Sequence, residues 1–238
     1  MRVAAIGDIH GNLPALDAVL GEIEHGDVEA IVIVGDTISG PWPVDVFDRL
    51  VRVEARFVRG NADREVLERS TRYGPLATWC ADRLGAERLA VAASWPLALA
   101  LEIDGLGRVL VCHSTPTSDD PIYTRITPDA DVSEMLADID ADVVVCGHTH
   151  MQYDRTLAGG LRVVNPGSVG MPYEGQPGAF WALLGPNVDF RTTRYDARAT
   201  VEAVRELSAP IGEELLTALV DPPSSDETTA YFESLRGT

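Results

Sequence analysis

The stretch VAAIGDIHGNLPALDAVLGEIE, residues 3–24, contains a short apolar run followed by a longer helical pattern. Apolar side chains recur at spacings of three and four residues in its second half, which predicts a helix with one apolar face. Asn12 precedes this pattern and is the expected N-cap. Apolar runs at 31–34 and 56–58, with a helical pattern at 44–51 between them, continue the alternation. The beginning of the chain therefore predicts a βαβαβ unit.

The rest of the chain is organised as further helical and strand patterns. Residues 64–96 have no strand signal, so we predict a cluster of short helices there, broken at Gly74-Pro75 and at Gly85. Strands are predicted at 97–103, 109–112, 143–146, 152–156, 162–164, 180–184 and 188–195. Helices are predicted around 135–139, 200–207 and 211–219. We expect a single domain at 1–220, with a helical insertion at about 64–95 and a C-terminal tail at 221–238 in which Tyr231, Phe232 and Leu235 could dock.

The basic residues of the chain are all arginines. The 238 residues include 19 Lys and Arg together, and every one of these is Arg. Without Lys the chain cannot be a Walker-type P-loop enzyme, a protein kinase, a pyridoxal phosphate enzyme or a Schiff-base aldolase. The net charge of -18 also weighs against a long nucleic acid as partner, because binding to a phosphate backbone needs clustered cations.

The three cysteines and the apolar segments bear on the compartment. An odd number of cysteines in a chain of this length implies no disulfide framework, so we expect a reducing environment. The apolar run at 3–6 is too short for a signal-peptide core. The longest apolar-rich stretch, 90–101, falls below the roughly 18 residues that a spanning helix needs. We expect a soluble, cytoplasmic protein with no membrane partner.

Residues that carry chemistry follow five of the predicted strands. The motifs are Gly7-Asp8-Ile9-His10-Gly11-Asn12, Gly35-Asp36, Gly60-Asn61-Ala62-Asp63, His113 and Gly147-His148-Thr149-His150. Since the carboxyl ends of strands are where ligands gather in open α/β sheets, these side chains are expected to converge.

The converging side chains form a metal-ligand set of two carboxylates, one amide and four imidazoles. A set of this size exceeds what one ion takes and suits two divalent ions of the Mn, Fe, Ni, Co or Zn type. Taken alone, an Asp after a strand is usually a helix cap and a His is usually a hydrogen-bonded surface or core residue. His25 at a helix terminus fits that structural interpretation. The joint pattern favours a metal centre.

The order of these motifs resembles that of the calcineurin-like metallophosphoesterase superfamily, whose blocks cover about residues 3–150 here. The stretch at 165–170 extends the likeness to small bacterial and archaeal phosphodiesterases, through roughly Leu184. The resemblance implies a four-layer α/β/β/α sandwich with a small helical insertion. It also implies Asp8, His10 and His150 on a first metal ion, Asn61, His113 and His148 on a second, and Asp36 bridging both.

The resemblance further implies hydrolysis of a phosphate ester. Two divalent ions, Mn²⁺ or alternatively Fe, Ni, Co or Zn, would hold a bridging hydroxide for in-line attack on phosphorus. The catalytic contribution of Asp36, Asn61, His113 and His148 would act through these ions. Ala62 stands where many relatives have a His that assists the leaving group, so no side chain is evident for that protonation. Asp63 is either a carboxylate that orients a ligand His or the cap of the following helix.

Substrate contacts and the substrate itself are less defined by the sequence. We expect Asn12 and Arg64 to contact the phosphate, while Trp42, Tyr123 and Tyr173 are candidates for base stacking or for simple packing. The leading hypothesis is a phosphodiesterase for a small or nucleotide-like substrate. The alternatives are a phosphomonoesterase or protein phosphatase, a dinucleoside polyphosphate hydrolase and, more remotely, a non-catalytic interaction scaffold. Homo-oligomerisation is left open.

Overall fold

The structure, a computed structural model, describes residues 1–236. It begins with β1 (Val3–Ile6), α1 (Leu13–Glu24), β2 (Ala30–Ile33), α2 (Pro43–Arg52) and β3 (Arg56–Phe57). This succession confirms the predicted βαβαβ unit. The Asn12 side chain accepts a hydrogen bond from the Ala15 amide at 3.2 Å, which caps α1 as expected.

Two helices, α3 (Asn61–Glu68) and α4 (Leu76–Ala93), fill the segment where no strand was expected. A turn at residues 71–74 separates them. Within α4, Gly85 has a φ of 71° and a ψ of 170°, which divides the helix into two pieces. Both predicted breaks are therefore confirmed.

The second half of the chain supplies most of the strands. They are β4 (Ala98–Ile103), β5 (Gly107–Cys112), β6 (Val143–Val145), β7 (Gln152–Thr156), β8 (Arg162–Pro166), β9 (Ala179–Leu184) and β10 (Val188–Thr193). The helices are α5 (Asp129–Met135), α6 (Ala197–Glu206), α7 (Glu213–Val220) and α8 (Ser225–Leu235).

Helix α5 lies N-terminal to its predicted position. We expected residues 135–139 to be helical, whereas α5 ends at Met135. Its first turn contains Asp129 and Asp131, whose negative charges favour a helix start, and Asp138 has a positive φ of 61° that no continuing helix adopts. The prediction is wrong for residues 136–139.

The strands form two five-stranded sheets, in the orders β10-β9-β1-β2-β3 and β4-β5-β6-β8-β7. In the first sheet β1, β2 and β3 are parallel, and in the second β5, β6 and β8 are parallel. The remaining neighbours pair antiparallel. Parallel strands end at the same edge of their sheet, which prepares one edge of each sheet for a site.

Three hydrophobic clusters explain the layers. Between the sheets, inward side chains such as Val32 and Val145 form a continuous buried core. Helices α1 and α2 cover the outer face of the first sheet, with Leu16 and Leu50 fully buried there. Helix α5 covers the outer face of the second sheet through Val132. The order is helix, sheet, sheet, helix, which confirms the predicted α/β/β/α sandwich.

The segment that follows Asp221 contains helix α8, which the sequence analysis did not predict. Ser224 and Glu227 form a capping box at its start, with the Ser224 hydroxyl accepting from the Glu227 amide at 3.3 Å. Within residues 1–236, no helix is both long and apolar enough to cross a membrane.

Candidate metal centre

The ends of the parallel strands bring the predicted ligands together. Asp8 follows β1, Asp36 follows β2 and Asn61 follows β3, while His113 follows β5 and the segment Gly147–His150 follows β6. Backbone hydrogen bonds connect these strand-end loops, from the Asp8 amide to the Gly35 carbonyl at 3.1 Å and from the Gly147 amide to the His113 carbonyl at 2.8 Å. The loops therefore hold one another in register.

Four side chains form a tight cluster that could hold a metal ion. One ligand atom from each of Asp8, His10, Asp36 and His150 lies within 4.8 Å of all the others. The two imidazole Nε2 atoms of His10 and His150 are 3.2 Å apart, and Asp8 Oδ1 is 3.2 Å from His150 Nε2. Such close approach of like groups is typical of ligands that face a common ion.

A second group adjoins the first through Asp36. Asn61 Oδ1 lies 3.0 Å from His113 Nε2. Asp36 Oδ2 lies 3.5 Å from His113 Nε2 and also 3.5 Å from His10 Nε2. One carboxylate oxygen therefore stands between the two groups of nitrogen ligands.

His148 is placed beside the second group rather than inside the four-residue cluster. Its ring is edge-on to that of His113, with centroids 5.1 Å apart. Its Nε2 donates to the Asp120 carbonyl at 3.2 Å, while its backbone amide donates to Asp8 Oδ1 at 3.1 Å. With Nε2 protonated, Nδ1 is the acceptor nitrogen of the neutral ring.

Backbone carbonyls orient two of the other imidazoles. His113 Nδ1 donates to the Val34 carbonyl at 2.9 Å, and His150 Nδ1 donates to the Met171 carbonyl at 2.8 Å. With Nδ1 protonated, Nε2 is the acceptor in the neutral ring and points into the site. This is how proteins commonly prepare a histidine for a metal ion.

The backbone is strained where the ligands are. Nine non-glycine residues in the described chain have positive φ, and five of them are predicted ligands. They are Asp8, His10, Asp36, His148 and His150, with φ between 46° and 70°. Such conformations cost on the order of 1–3 kcal/mol each and are concentrated at functional sites.

Two glycines leave the space that the predicted ligands occupy. A Cβ at Gly60 would overlap Asp36 Oδ1, and a Cβ at Gly35, whose φ is 96°, would lie 2.5 Å from His113 Nδ1. Either contact is too close for unrelated atoms, so a side chain at these positions would displace a ligand.

The charges of the site are those of a cation-binding centre. Asp8 is fully buried, and its Oδ2 has no hydrogen-bond partner within residues 1–236. Burial raises the pKa of Asp8, but the charges of His150, His113 and His10 outweigh it and lower the pKa to about 2. Burial lowers the pKa of His150, whereas the Asp8 charge and hydrogen bond raise it, with a net upward shift. An unpaired buried carboxylate oxygen among imidazoles fits a divalent metal ion.

Asp63 supports the Asp36 loop rather than a histidine. Its Oδ1 accepts from the Thr37 and Ile38 amides at 2.8 and 2.9 Å, and its Oδ2 accepts from the Gly60 amide at 3.0 Å. Burial and the nearby Asp36 charge raise the pKa of Asp63 to about 7. The structure shows neither alternative as stated: α3 begins at Asn61 rather than at Arg64, so Asp63 is its third residue and accepts from the amide of the N-cap, Gly60.

Asn12 and Arg64 have protein partners at the edge of the site. The Asn12 amide donates to the Gly170 carbonyl at 3.1 Å and to the Tyr195 hydroxyl at 3.3 Å, in addition to its capping bond. Arg64 Nε donates to Asp119 at 3.0 Å, and its Nη2 donates to Asp120 at 2.7 Å. Contact of either residue with a substrate stays a prediction.

The C-terminal helix reaches the site through Phe232, one of the three tail residues that the sequence suggested could dock. Phe232 on α8 lies 6.5 Å from the His148 ring and 6.4 Å from the Tyr173 ring, measured between centroids. Tyr173 in turn stacks on His150 at 4.9 Å, with an angle of 11° between the rings. Tyr173 therefore packs against a predicted ligand. Tyr123 is buried, and its hydroxyl donates to the Ser114 carbonyl at 2.6 Å.

Comparison with known proteins identifies the same architecture elsewhere. Residues 1–184 match the family model described as the calcineurin-like phosphoesterase superfamily domain. The crystal structure of a metallophosphoesterase from Sphaerobacter thermophilus is 28% identical, with a TM-score of 0.73, and the match covers 92% of this chain and 98% of that one.

Two curated relatives also match. The uncharacterized protein MJ0912 of Methanocaldococcus jannaschii is 27% identical over 239 residues, covering 90% of this chain and 96% of that protein. The phosphodiesterase YfcE of Escherichia coli K12 is 26% identical over 194 residues, covering 77% of this chain and 87% of that protein.

Proposed function

The chain belongs to the calcineurin-like phosphoesterase superfamily and is a phosphate-ester hydrolase, and we propose that it is a dinuclear phosphodiesterase acting on a small or nucleotide-like substrate. The family is metal-dependent, and the buried cluster of Asp8, His10, Asp36 and His150 has the donor chemistry for a metal ion. The number of ions, their identity and the type of ester are the parts that we propose.

The observation that supports a dinuclear centre is the position of Asp36. Its Oδ2 is equidistant, at 3.5 Å, from the Nε2 atoms of His10 and His113, which belong to different ligand groups. Its other oxygen, Oδ1, is held by the Ala62 amide at 2.8 Å. We assign Asp8, His10 and His150 to one ion and Asn61, His113 and His148 to the other, with Asp36 shared.

A pair of divalent ions would supply Lewis-acid charge and an activated water for in-line attack on phosphorus. The chain's own residues contribute orientation. The Val34 and Met171 carbonyls fix the rings of His113 and His150, and the Ala62 amide fixes Asp36. These bonds hold the donors in place before substrate arrives, so little reorganisation is needed during the reaction.

The side chain at position 62 supports a diester substrate. Ala62 follows Asn61 at the start of α3 and has no titratable group that could donate a proton to a leaving alcohol. Ser114, which follows His113, has its hydroxyl engaged with the Pro121 carbonyl at 2.5 Å. Esters with good leaving groups need no such proton, and a diester carries less negative charge toward an acidic chain than a monoester does.

Manganese is our proposed metal, with Fe, Ni, Co or Zn as the alternatives that the same mixed oxygen and nitrogen donors accept. We also propose a cytoplasmic location, which is supported by three buried free thiols at Cys80, Cys112 and Cys146. A small phosphate ester, rather than a long nucleic acid or a membrane, is the proposed partner.

A metal-defined hydrolysis assay tests this function. The purified protein is chelated, divided and supplied with each divalent metal separately, then offered a bis-aryl phosphate and an aryl monophosphate with the same leaving group. We expect the diester to be cleaved faster, with Mn²⁺ most effective and two ions bound per chain. Faster cleavage of the monoester would overturn the diester assignment. If neither ester is cleaved with any metal, the assignment as an enzyme is overturned and a non-catalytic scaffold is favoured.

A further inference from the structure

A cleft of about 960 Å³ opens onto the site at Asn61 and His148. The turn between α3 and α4 forms part of its wall with Arg72 and Tyr73, and the end of α8 forms another part. Apolar side chains contribute to the lining, namely Tyr73, Pro121, Ile122, Met135 and Leu235. A phosphodiester held at the ligands would extend one of its two substituents into this space.

Tyr73 offers an aromatic surface inside this cleft. It is 72% exposed, the largest exposure among the large hydrophobic side chains of the described chain. The guanidinium of Arg72 lies 5.2 Å from the centre of its ring. An exposed ring beside a substrate site is a stacking surface for another aromatic group, because every nucleobase presents a π-face.

The charges around the cleft are largely neutralised by ion pairs within the protein. Arg64 is bound to Asp120 at 2.7 Å, and Arg236 is bound to Glu233 at 2.8 Å and to Asp131 at 2.6 Å. Arg72 has no carboxylate within 4.0 Å in the part of the chain that is described, and the acidic group that faces it is Glu65. Among the described residues of the cleft, only one unpaired arginine, Arg72, is therefore available to bind a chain of several phosphates, and Glu65 lies close to it.

From these features we propose that the cleft binds one ester substituent of the substrate, and that this substituent is an uncharged aromatic group of the nucleoside type, stacked on Tyr73. The inference rests on the proposed function, since that function places the phosphate beside Asn61 and His148. It goes further by separating nucleoside diesters from dinucleoside polyphosphates. The polar atoms of Arg72 and Glu65 would then bond to the base or the sugar rather than to phosphate.

The test compares two diesters that share one leaving group, the para-nitrophenyl ester of thymidine monophosphate and ethyl para-nitrophenyl phosphate. For the manganese-loaded wild type we expect a higher kcat/KM with the thymidine ester. In Tyr73→Ala the ratio of the two kcat/KM values should fall about tenfold, as expected for the loss of one base-aromatic stack, mainly through KM. Tyr73→Phe, which keeps the ring, should retain the ratio.

Phe190→Ala is the matched control, because Phe190 is an aromatic residue on β10, 38% exposed, that does not line the cleft. We expect this variant to keep the wild-type ratio. An unchanged ratio in Tyr73→Ala would overturn the stacking proposal. A higher kcat/KM for a dinucleoside polyphosphate than for the thymidine ester would overturn the proposal that the bound substituent is uncharged.

Binding without turnover separates this inference from the proposed function. In chelated protein, saturation-transfer NMR should show contacts from wild-type protein to the base of thymidine, and these should be lost in Tyr73→Ala. If no ester is hydrolysed but this binding is present, the phosphodiesterase proposal fails and the cleft proposal stands. If esters are hydrolysed but thymidine makes no Tyr73-dependent contact, the cleft proposal fails alone.

Discussion

The strand-end loops and the C-terminal helices both border the site, but they are held in different ways. Backbone hydrogen bonds join the Asp8 loop to the Asp36 loop and the Gly147 loop to the His113 loop, and Asp8, Asp36 and His148 have strained backbones. Helix α8 is docked by side chains, with Glu233 hydrogen-bonded to Thr124 and Thr127.

This difference separates the loops that hold the predicted ligands from the helices that surround them. The loops lie within residues 1–184, the part of the chain that matches the family, whereas α6, α7 and α8 follow it. The site is thus built on backbone geometry, and the walls around it are built from side-chain contacts. We therefore expect changes in the loops to abolish activity and changes in α8 to alter stability.

The largest effect is expected for Asp36→Asn. Asparagine keeps an oxygen for the Ala62 amide but loses the negative charge shared by the two ligand groups. Turnover of a diester should fall by more than about a hundredfold, since even the partners of metal ligands contribute about 10–100-fold. The measurement is kcat, together with metal content and a thermal melt that shows the fold is intact.

Asp27→Asn is the control, because the Asp27 side chain is 95% exposed and lies away from the ligands. It should keep wild-type turnover. Full activity in Asp36→Asn with normal metal content would rule out the proposal that the Asp36 carboxylate is shared by two metal ions.

An intermediate effect is expected for Gly60→Ala. The new methyl group would overlap Asp36 Oδ1, so this ligand must move or the loop must open. Metal affinity, measured by calorimetric titration, should weaken by about 10–100-fold. Gly21→Ala on α1 adds the same methyl group where no atom lies within 4 Å, and it should leave metal affinity unchanged. Equal affinities in the two variants would show that the site tolerates displacement of Asp36.

The smallest effect is expected for Glu233→Gln, and it is measured on the free energy of unfolding. Burial raises the pKa of Glu233, but hydrogen bonds from Thr124 and Thr127 and the pair with Arg236 outweigh it, so the pKa lies below its ordinary value of 4.5. A carboxyl group whose pKa is lower in the folded state than in the unfolded state stabilises the fold at pH values above the unfolded-state pKa. This stabilisation is lost as the pH falls through the folded-state pKa. Glu233→Gln should therefore cost about 1 kcal/mol near neutral pH and progressively less below pH 4.5.

Urea unfolding of wild type and Glu233→Gln, near neutral pH and below pH 4.5, measures this difference in the free energy of unfolding. Glu206→Gln, at the exposed end of α6, provides the control for removing a glutamate charge. A difference that stays constant with pH would show that Glu233 acts through packing rather than charge. A loss of diester turnover as large as that of Asp36→Asn would break the distinction between loops and helices.

Local patterns in the sequence were sufficient for most elements and for the placement of the candidate ligands at strand ends. The period of Leu13 to Ile23 predicts α1, and Gly85 predicts the break in α4, because both signals act within a few residues. Helix α5 was misplaced because Met135 and Ile139 are apolar for a different reason, as both pack on the outer cluster of the second sheet.

Other features depend on contacts between distant parts of the chain. The sequence does not show which carboxylate Arg64 meets, but in the structure it pairs with Asp119 at a sequence separation of 55, and Thr124 meets Glu233 at a separation of 109. No local pattern specifies which of many carboxylates an arginine will meet. Partner choice of this kind requires the folded packing.

The sequence by itself determined the chemistry of the site: carboxylate, amide and imidazole ligands placed directly after strands, in a chain whose cations are all arginines. Strand periodicity and turn residues act locally, so they also determined that these ligands would converge. Only the tertiary structure decided that Asp63 accepts from the amides of the Asp36 loop, and that α8 and Tyr73 border the cleft. Those outcomes depend on how the two sheets and the C-terminal helices pack together, which no single segment encodes.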